Sequence, residues 1–380
     1  MSGRLWDKGE SVDDRVLAFC VGDDHLLDAR LVPHDVRASI AHATMLHERG
    51  FLTADELDAL RATLTALEAE HFRGEWAIAM EEEDVHTALE SRLTERLGDL
   101  GGKIHLGRSR NDQVLVALRL YLREVVTELS EGFESVAAAL EGLRDRQGEV
   151  ALPGYTHTQR AMPSTVALWC LGHAAELRDD ASAILGVLRR LSRCPLGSAA
   201  GYGTPGLAIS RERTAELLGF DGPQEPVTAV QLSRGKAEAA LLFELATGLG
   251  DIARVAADVV LFATSEFGFL RLPHAFTTGS SIMPQKRNPD VFELLRGEAT
   301  QATADLQAAL ALRLGLGSGY HRDLQLPEGA ALPRHRPAAR CLDVAAPAPA
   351  ALEFVPERSA AMDAPLFATE RAYQLVKEEG

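Results

Sequence analysis

Cysteine is scarce in this chain of 380 residues, and its four cysteines follow no metal-ligand spacing. Cys20, Cys170, Cys194 and Cys341 form no CxxC pair, which argues against a zinc site and indicates reduced thiols of a cytoplasmic protein. Long apolar runs are also missing, because charges interrupt every hydrophobic stretch before the roughly 18 residues that a membrane span needs. The first residues, MSGRLWDKGE, carry charges where a signal peptide needs an apolar core. The sequence predicts neither a membrane protein nor an exported one.

Positive charge is in deficit as well. Lys and Arg number 39 against 55 Asp and Glu, so the net charge is −16. This balance argues against a general affinity for nucleic acid or for anionic membranes. Hydrophobic residues make up 46% of the chain and charged residues 25%, as in an ordinary globular protein with a large core. An anionic ligand would have to be met by a local cluster of cations.

What the sequence does contain is helical periodicity. Between residues 114 and 144, apolar side chains recur at steps of three and four, which predicts one long amphipathic helix. They are Leu115, Leu118, Leu122, Val125, Leu129, Phe133, Val136, Leu140 and Leu143. Similar patterns predict long helices over residues 163–193 and 236–267. Such rods bury their apolar faces in a bundle, within or between chains, and the fold class is therefore predicted to be mostly α.

The chain divides by pattern into three parts. Residues 1–105 contain shorter helical patterns, such as ADELDALRATLTALEAEHF, and are predicted to form a smaller helical domain. Residues 106–325 hold the long helices, and residues 326–380 form a C-terminal helical region. Seven of the 17 prolines lie between positions 327 and 365, so we expect no long uninterrupted helix there.

Four polar segments stand at the ends of the helical patterns: KIHLGRSRNDQ (103–113), LPGYTHTQRAMPS (152–164), GSSIMPQKRNPD (279–290) and GYHRDLQ (319–325). In the first, Ser109, Arg110 and Asn111 precede the longest predicted helix. The positive N-terminal end of a helix suits a carboxylate or a phosphate. Alternatively, Asn111 or Asp112 is simply the N-cap of that helix.

The second and third segments could supply acid and base. His157 titrates near neutrality and could deliver a proton, although a lone histidine in a loop is more often a solvated surface residue. In the third segment Ser280 and Ser281 stand close to Lys286 and Arg287 in sequence. A serine becomes a useful base only where a cation or oriented amides stabilise its alkoxide. The alternative is a basic surface loop.

One acidic cluster, EEEDVHTALE, places Glu83, Asp84 and His86 together. A metal could bind there, but the spacing matches no pattern such as HExxH, and His42 and His47 are five positions apart rather than four. We interpret the acidic residues as a helix start or as a seat for a cationic group.

Taken together, these segments resemble the fumarase/aspartase superfamily. GSSIMPQKRNPD resembles its signature GSSxMPxKxNP, while EDVHTALE, HLGRSRNDQV, GYTHTQRAMP and YHRDLQ resemble further segments in the same order. The resemblance implies a three-domain fold with a central long-helix bundle. It also implies a homotetramer whose active sites are each built from three subunits. The expected reaction is reversible cleavage of argininosuccinate into arginine and fumarate, without a metal or an organic cofactor.

The resemblance also implies roles for individual residues. The catalytic residues would be His157 as the acid, directly or by relay, Ser280 as the base with Ser281 as the alternative, and Lys286. The substrate-binding residues would be Ser109, Arg110, Asn111, Thr158, Asn288, Asp84, Tyr320, Gln325, Arg234, Asp24 and Asp28. Lys286 and Asn288 would hold the reacting carboxylate, and Asp24 and Asp28 would face the arginine end.

The chain departs from this pattern near its C-terminus. The family usually carries a lysine three residues after Gln325, where this chain has Glu328, and the last helical region is expected to be shortened. An anion in place of a cation should repel a carboxylate. Two alternatives follow: a related lyase that releases fumarate from another N-substituted succinate, or a catalytically silent structural protein similar to the lens crystallins.

Overall fold

A computed structural model describes residues 13–360 and 364–379, without the side chains of residues 327–336, 364 and 379. The fold is mostly α, as predicted. The helices are α1 Asp14–Val21, α2 Asp24–Leu27, α3 Val32–Glu48, α4 Ala54–Phe72, α5 Val85–Leu97, α6 Asp99–Lys103, α7 Arg110–Gln147, α8 Val166–Leu185, α9 Leu188–Leu191, α10 Arg211–Leu217, α11 Ala229–Leu232, α12 Lys236–Phe262, α13 Asp290–Leu312, α14 Gln325–Ala345, α15 Ala348–Ala351, α16 Pro356–Ser359 and α17 Ala368–Glu379.

Short antiparallel strand pairs interrupt the helices. The strands are β1 Gly154–Thr156, β2 Gln159–Met162, β3 Leu270–Arg271, β4 Thr278–Gly279, β5 Arg287–Asn288 and β6 Glu353–Phe354. β1 pairs with β2, β3 with β6, and β4 with β5. Two of these pairs are hairpins that carry sequence motifs in their turns. Among the described residues, none of the helices combines the length and apolarity that a bilayer crossing requires.

The chain forms two compact units. Unit 1 comprises residues 1–126, 187–240 and 308–333, and unit 2 comprises residues 127–186, 241–307 and 334–380. Four of the five boundaries fall within α7, α12, α13 and α14, so these helices contribute to both units, and the fifth falls between α8 and α9. The division of the sequence into three domains stays a prediction.

Helix α7 contains 38 residues and is therefore about 57 Å long. Every apolar residue of its predicted stripe is 2% exposed or less, which confirms the periodicity. Helices α8 and α12 confirm the other two predictions but end earlier than expected, at Leu185 and Phe262. Gly186, a poor helix former, follows α8. After α12 the Thr264 hydroxyl donates to the Leu261 carbonyl and competes with helical hydrogen bonds.

In unit 1, α3 packs against α4, α5 and α10, and α5 packs against α4 and α6. Helix α4 starts with a capping box, in which Thr53 accepts from the Glu56 amide and the Glu56 carboxylate accepts from the Thr53 amide. Such a box contributes about 1 kcal/mol. The buried face of α4 consists of Leu57, Leu60, Leu64 and Leu67.

Unit 2 consists mainly of long helices packed against one another. Phe133 on α7 is fully buried, and a Cβ added at Gly248 on α12 would collide with its ring. The absence of a side chain at Gly248 therefore lets the two helices approach closely. Val136, Val259, Phe292 and Leu352 line an apolar interior between α7, α12, α13 and the segment after α15.

The expectation of no long helix after residue 327 is wrong, because α14 runs from Gln325 to Ala345 and contains three prolines. Pro327 stands in the first turn of α14, where its missing N–H would have no intrahelical partner. Pro333 and Pro337 each remove one donor, and the remaining donors are sufficient to continue the helix. Glu328 lies on this helix, but its side chain is outside the described residues.

Candidate active site

A polar pocket of about 180 Å³ lies in unit 1. It is formed by α2, the start of α5, the first turns of α7, residue 234 and residues 320–325. All of its lining residues belong to unit 1. They include eight of the predicted substrate-binding residues: Asp24, Asp28, Asp84, Arg110, Asn111, Arg234, Tyr320 and Gln325. Residues far apart in sequence therefore converge on one cavity.

Arg110 is held in this pocket by two carboxylates. Its Nε pairs with Asp84, and its Nη1 donates to Glu83 Oε2 at 2.9 Å. Burial alone would lower the pKa of the Arg110 guanidinium, but the charges of Asp84 and Glu83 raise it above its usual value. Asp84 is also the N-cap of α5 and accepts from the Thr87 amide at 2.8 Å. The acidic cluster thus provides both a helix start and a seat for a cation.

Asp24 and Asp28, which also line the pocket, have different environments. The Asp24 carboxylate accepts a hydrogen bond from the Gln325 side-chain amide, which ties α2 to the start of α14. Asp28 is 6% exposed and accepts from the Val85 amide at 3.2 Å. Burial, and then the neighbouring charge of Asp84, raise the pKa of the Asp28 carboxyl to about 7. A cationic group bound beside Asp24 and Asp28 would stabilise the charged form of the Asp28 carboxyl.

Arg234 forms part of the wall. It is 2% exposed, its guanidinium carbon lies 4.8 Å from the centroid of the Tyr320 ring, and its Nη1 donates to the Asn111 carbonyl at 3.5 Å. A cation over an aromatic face is attracted by the ring quadrupole. Arg234 therefore fixes Tyr320 and the first turn of α7 in place.

Ser109, rather than Asn111 or Asp112, is the N-cap of α7. Asp112, three positions later, accepts from the Ser109 amide at 2.9 Å. The fully buried Asp112 carboxylate also accepts from the amides of Gly197 and Ala199, both at 2.8 Å. Burial raises the pKa of the Asp112 carboxyl to about 6, although these amide hydrogen bonds oppose the rise. Asp112 thus joins the start of α7 to the segment around residue 197. No motif in the sequence pointed to that segment.

His157 and Thr158 form the two-residue turn between β1 and β2 in unit 2. Both are exposed, and both have positive φ, 52° and 58°. Hairpin turns with two positive φ values usually contain Asn and Gly, so a histidine and a threonine here are strained. Thr158 Oγ1 donates to the His157 carbonyl at 2.6 Å. The exposure of both side chains means that their own packing does not account for this strain.

The segment GSSIMPQKRNPD forms the second hairpin of unit 2, with residues 280–286 between β4 and β5. Ser280 is half-buried, whereas Ser281 and Lys286 are exposed. Ser280 Oγ accepts from the Ile282 amide at 3.4 Å and from the Met283 amide at 3.2 Å. Two amide donors favour a negatively charged oxygen.

The remaining predicted residues are placed as follows. Asn288 is half-buried on β5, and its side-chain amide donates to Thr278 Oγ1 at 3.5 Å. Ser109 is half-buried beside the pocket residues of α7 but does not itself line the described cavity. The predicted binding residues are thus mainly in unit 1, and the predicted acid, base and lysine are in unit 2. Among the polar lining residues Arg322 was not predicted, although it lies within the motif GYHRDLQ.

Within the described residues, no group of three or more His, Cys, Asp or Glu side chains is arranged to hold a metal ion. The Glu83, Asp84 and His86 cluster instead makes ion pairs. His86, 2% exposed, has its Nδ1 3.2 Å from Asp35 Oδ2, and Asp84 pairs with Arg110.

Comparison with known proteins agrees with this fold and these motifs. A family model described as a lyase matches residues 15–304. A solved structure of an EDDS lyase variant with bound fumarate has a TM-score of 0.80 and 25% identity, and the match covers 98% of this chain and 73% of that one. The protein is therefore of the helical lyase class.

Curated relatives define the family more narrowly. The argininosuccinate lyase of Phocaeicola vulgatus is 44% identical over 346 residues, covering 91% of this chain and 77% of that protein. The argininosuccinate lyase of Sorangium cellulosum is 45% identical over 385 residues, covering 100% of this chain and 88% of that protein. The chain belongs to the argininosuccinate lyase family.

Proposed function

We propose that the protein is an enzyme, a carbon–nitrogen lyase that reversibly converts argininosuccinate into arginine and fumarate in arginine biosynthesis. The observation that carries this proposal is the pocket of unit 1. It brings together the aspartates, arginines, tyrosine and glutamine that the family resemblance assigns to substrate binding. Relatives of this name support the same activity.

The chemistry assigns a task to each group. Removal of a proton from the carbon beside a carboxylate produces a dianionic aci-carboxylate, which needs cations and hydrogen-bond donors around it. Lys286 and Asn288 are proposed to supply them, while Ser109, Arg110, Asn111 and Thr158 bind the succinyl part. The departing arginine nitrogen must then be protonated.

Ser280 is proposed as the base and His157 as the acid, directly or by relay. The amides of Ile282 and Met283 support Ser280, because they donate to its oxygen and would stabilise its alkoxide. Ser281 remains the alternative base. The exposed hairpin is proposed to act as a lid that carries the base and Lys286 over the substrate and excludes water on closure.

We further propose a homotetramer in which each active site takes residues from three copies. The binding pocket belongs to unit 1 and the acid, base and lysine to unit 2, so copies could each contribute a different part. The long helices also expose large apolar side chains, including Leu168 on α8, Phe243 on α12 and Leu294 on α13. Burial of these side chains between copies of the chain would remove them from water.

Cytoplasmic localisation is likewise a proposal. The four cysteines are free, and Cys170, Cys194 and Cys341 are buried. Free buried thiols are typical of proteins in a reducing compartment.

The function is tested by following fumarate formation by its ultraviolet absorbance after argininosuccinate is added to the purified protein. We expect turnover by the native chain and a loss of about 10²- to 10⁴-fold in His157→Asn. The folding of the variant is checked by circular dichroism. A folded native protein that releases no fumarate from argininosuccinate would overturn the proposal.

A further inference from the structure

The pocket of unit 1 is lined by three aspartates and three arginines, and the arginines differ in how they are held. Arg234 is almost completely buried against Tyr320. Arg110 is paired with Asp84 and hydrogen-bonded to Glu83. The Arg234 guanidinium supports the wall, and the Arg110 guanidinium, proposed above to bind the succinyl part, is anchored by these two carboxylates.

Arg322, the third, is held more loosely. Its side chain is 46% exposed, and Nη2 donates to the Cys20 carbonyl at 3.0 Å. The same Nη2 lies 3.8 Å from Glu83 Oε2, beyond hydrogen-bond distance. A guanidinium carries five N–H donors in a planar fork that matches a carboxylate. Both described contacts of Arg322 involve a single nitrogen, so its fork can turn towards a ligand.

The position of Arg322 identifies which part of a ligand it can meet. Arg322 begins a single helical turn, Arg322–Leu324, that leads directly into Gln325. The Gln325 side-chain amide donates to the Asp24 carboxylate on α2, and the Arg322 guanidinium donates to the Cys20 carbonyl on α1. Arg322 therefore lies on the side of the pocket formed by α2 and the start of α14. The first turns of α7 line another part of the wall, and Arg110 there donates to the same Glu83 oxygen that Arg322 approaches.

An arginine portion presents an α-ammonium group and an α-carboxylate at its far end. Asp24 and Asp28 are suited to the ammonium, but an anionic group beside them needs a cation of its own. We infer that Arg322 binds the α-carboxylate of the arginine portion and makes the site specific for an amino acid rather than for the corresponding amine. This inference rests on the proposed function and deepens it.

The test uses the reverse reaction of the full-length enzyme. Fumarate consumption is measured with arginine and with agmatine, which is arginine without its α-carboxylate, for the native enzyme and for Arg322→Gln. We expect the native enzyme to prefer arginine. In Arg322→Gln the KM for arginine should rise about 10- to 100-fold, the range for losing a charged hydrogen bond, while kcat changes little. The kcat/KM for agmatine should stay nearly constant.

A second variant guards against a merely structural effect. Arg322→Lys keeps a cation and a donor for the Cys20 carbonyl but lacks the fork, so it should retain part of the preference for arginine. An equal loss with arginine and agmatine in Arg322→Gln, or an unchanged preference between them, would overturn the inference. A native enzyme that is inactive with argininosuccinate and with both amines would instead remove the proposed function, and the inference with it.

Discussion

The pocket of unit 1 and the two hairpins of unit 2 hold their functional side chains in opposite ways. In the pocket, Asp84, Arg110 and Arg234 are half-buried or buried, and each is paired with another side chain or with the backbone. In the hairpins, His157, Ser281 and Lys286 are exposed. A preformed pocket and an open set of exposed polar groups fit the proposal that the hairpins carry the proton-transfer groups and close over the substrate.

Backbone strain also differs between the two regions. The turn residues His157 and Thr158 have positive φ although they are exposed, so no packing of their side chains accounts for the conformation. Beside the pocket, Glu83 also has positive φ, at 67°, but its carboxylate accepts a hydrogen bond from Arg110. The strain at Glu83 is offset by an ion pair in the same unit. We interpret the strain in the turn as retained for catalysis.

The largest expected effect separates the two serines of the lid. Ser280→Ala should lower kcat by about 10²- to 10⁴-fold, because it removes the oxygen that the Ile282 and Met283 amides orient. Ser281→Ala is the matched control and should lower kcat much less. Initial rates of fumarate release measure both. If Ser281→Ala proves the more damaging change, Ser281 is the base.

A second change tests whether the pocket is preformed. Asp84→Asn keeps an N-cap oxygen for α5 but removes the charge that pairs with Arg110, which is 33% exposed. We expect a loss of about 2–3 kcal/mol in the free energy of unfolding, between the values for exposed and buried pairs, and a raised KM. Denaturant unfolding and steady-state kinetics measure these effects.

Asp84→Ala should cost about 1 kcal/mol more, because the cap is lost as well. Normal stability and KM in Asp84→Asn would contradict the account of a charge-held pocket.

The third prediction concerns pH. Burial raises the pKa of Asp28 to about 7, so between the unfolded value near 4 and pH 7 the folded chain holds a proton that the unfolded chain has lost. The contribution of Asp28 to stability therefore falls as pH rises through this window. Asp28→Asn stays neutral and should gain about 2–4 kcal/mol relative to the native chain on going from pH 5 to pH 8.

Chemical denaturation at the two pH values measures this difference. The control is Asp58→Asn, which makes the same change at an exposed position on α4 and should show no such trend. A pH-independent effect of Asp28→Asn would show that Asp28 is not buried as a protonated carboxyl.

Much of the helical fold could be predicted because its signals are local. The stripe on α7 repeats every three or four residues, and the cap of α4 is contained in four consecutive positions. α14 was not predicted, because its prolines disfavour a helix locally. The tertiary packing that opposes this local cost cannot be read from the sequence. Propensity is a weak guide where such context acts.

The site was predictable as residue types but not as an arrangement. The motifs contained Asp84, Arg110, Tyr320 and Gln325, yet only the fold shows that they share one cavity. The hydrogen bonds from the Gly197 and Ala199 amides to Asp112 join residues that are 85 and 87 positions apart in the sequence. No local pattern reports such a contact. Arg322 was missed for the same reason, because its role depends on what surrounds it.

The most direct test of the account is whether the two halves of the active site can come from different copies of the chain. Two inactive variants are prepared, His157→Asn in unit 2 and Tyr320→Ala in the pocket of unit 1, and each is checked for folding and assembly. They are then dissociated, mixed and reassembled. We predict that fumarate release from argininosuccinate reappears in the mixture, because some sites combine an intact pocket from one copy with an intact His157 from another. Hybrid assemblies that form but stay as inactive as the separate variants would contradict the account.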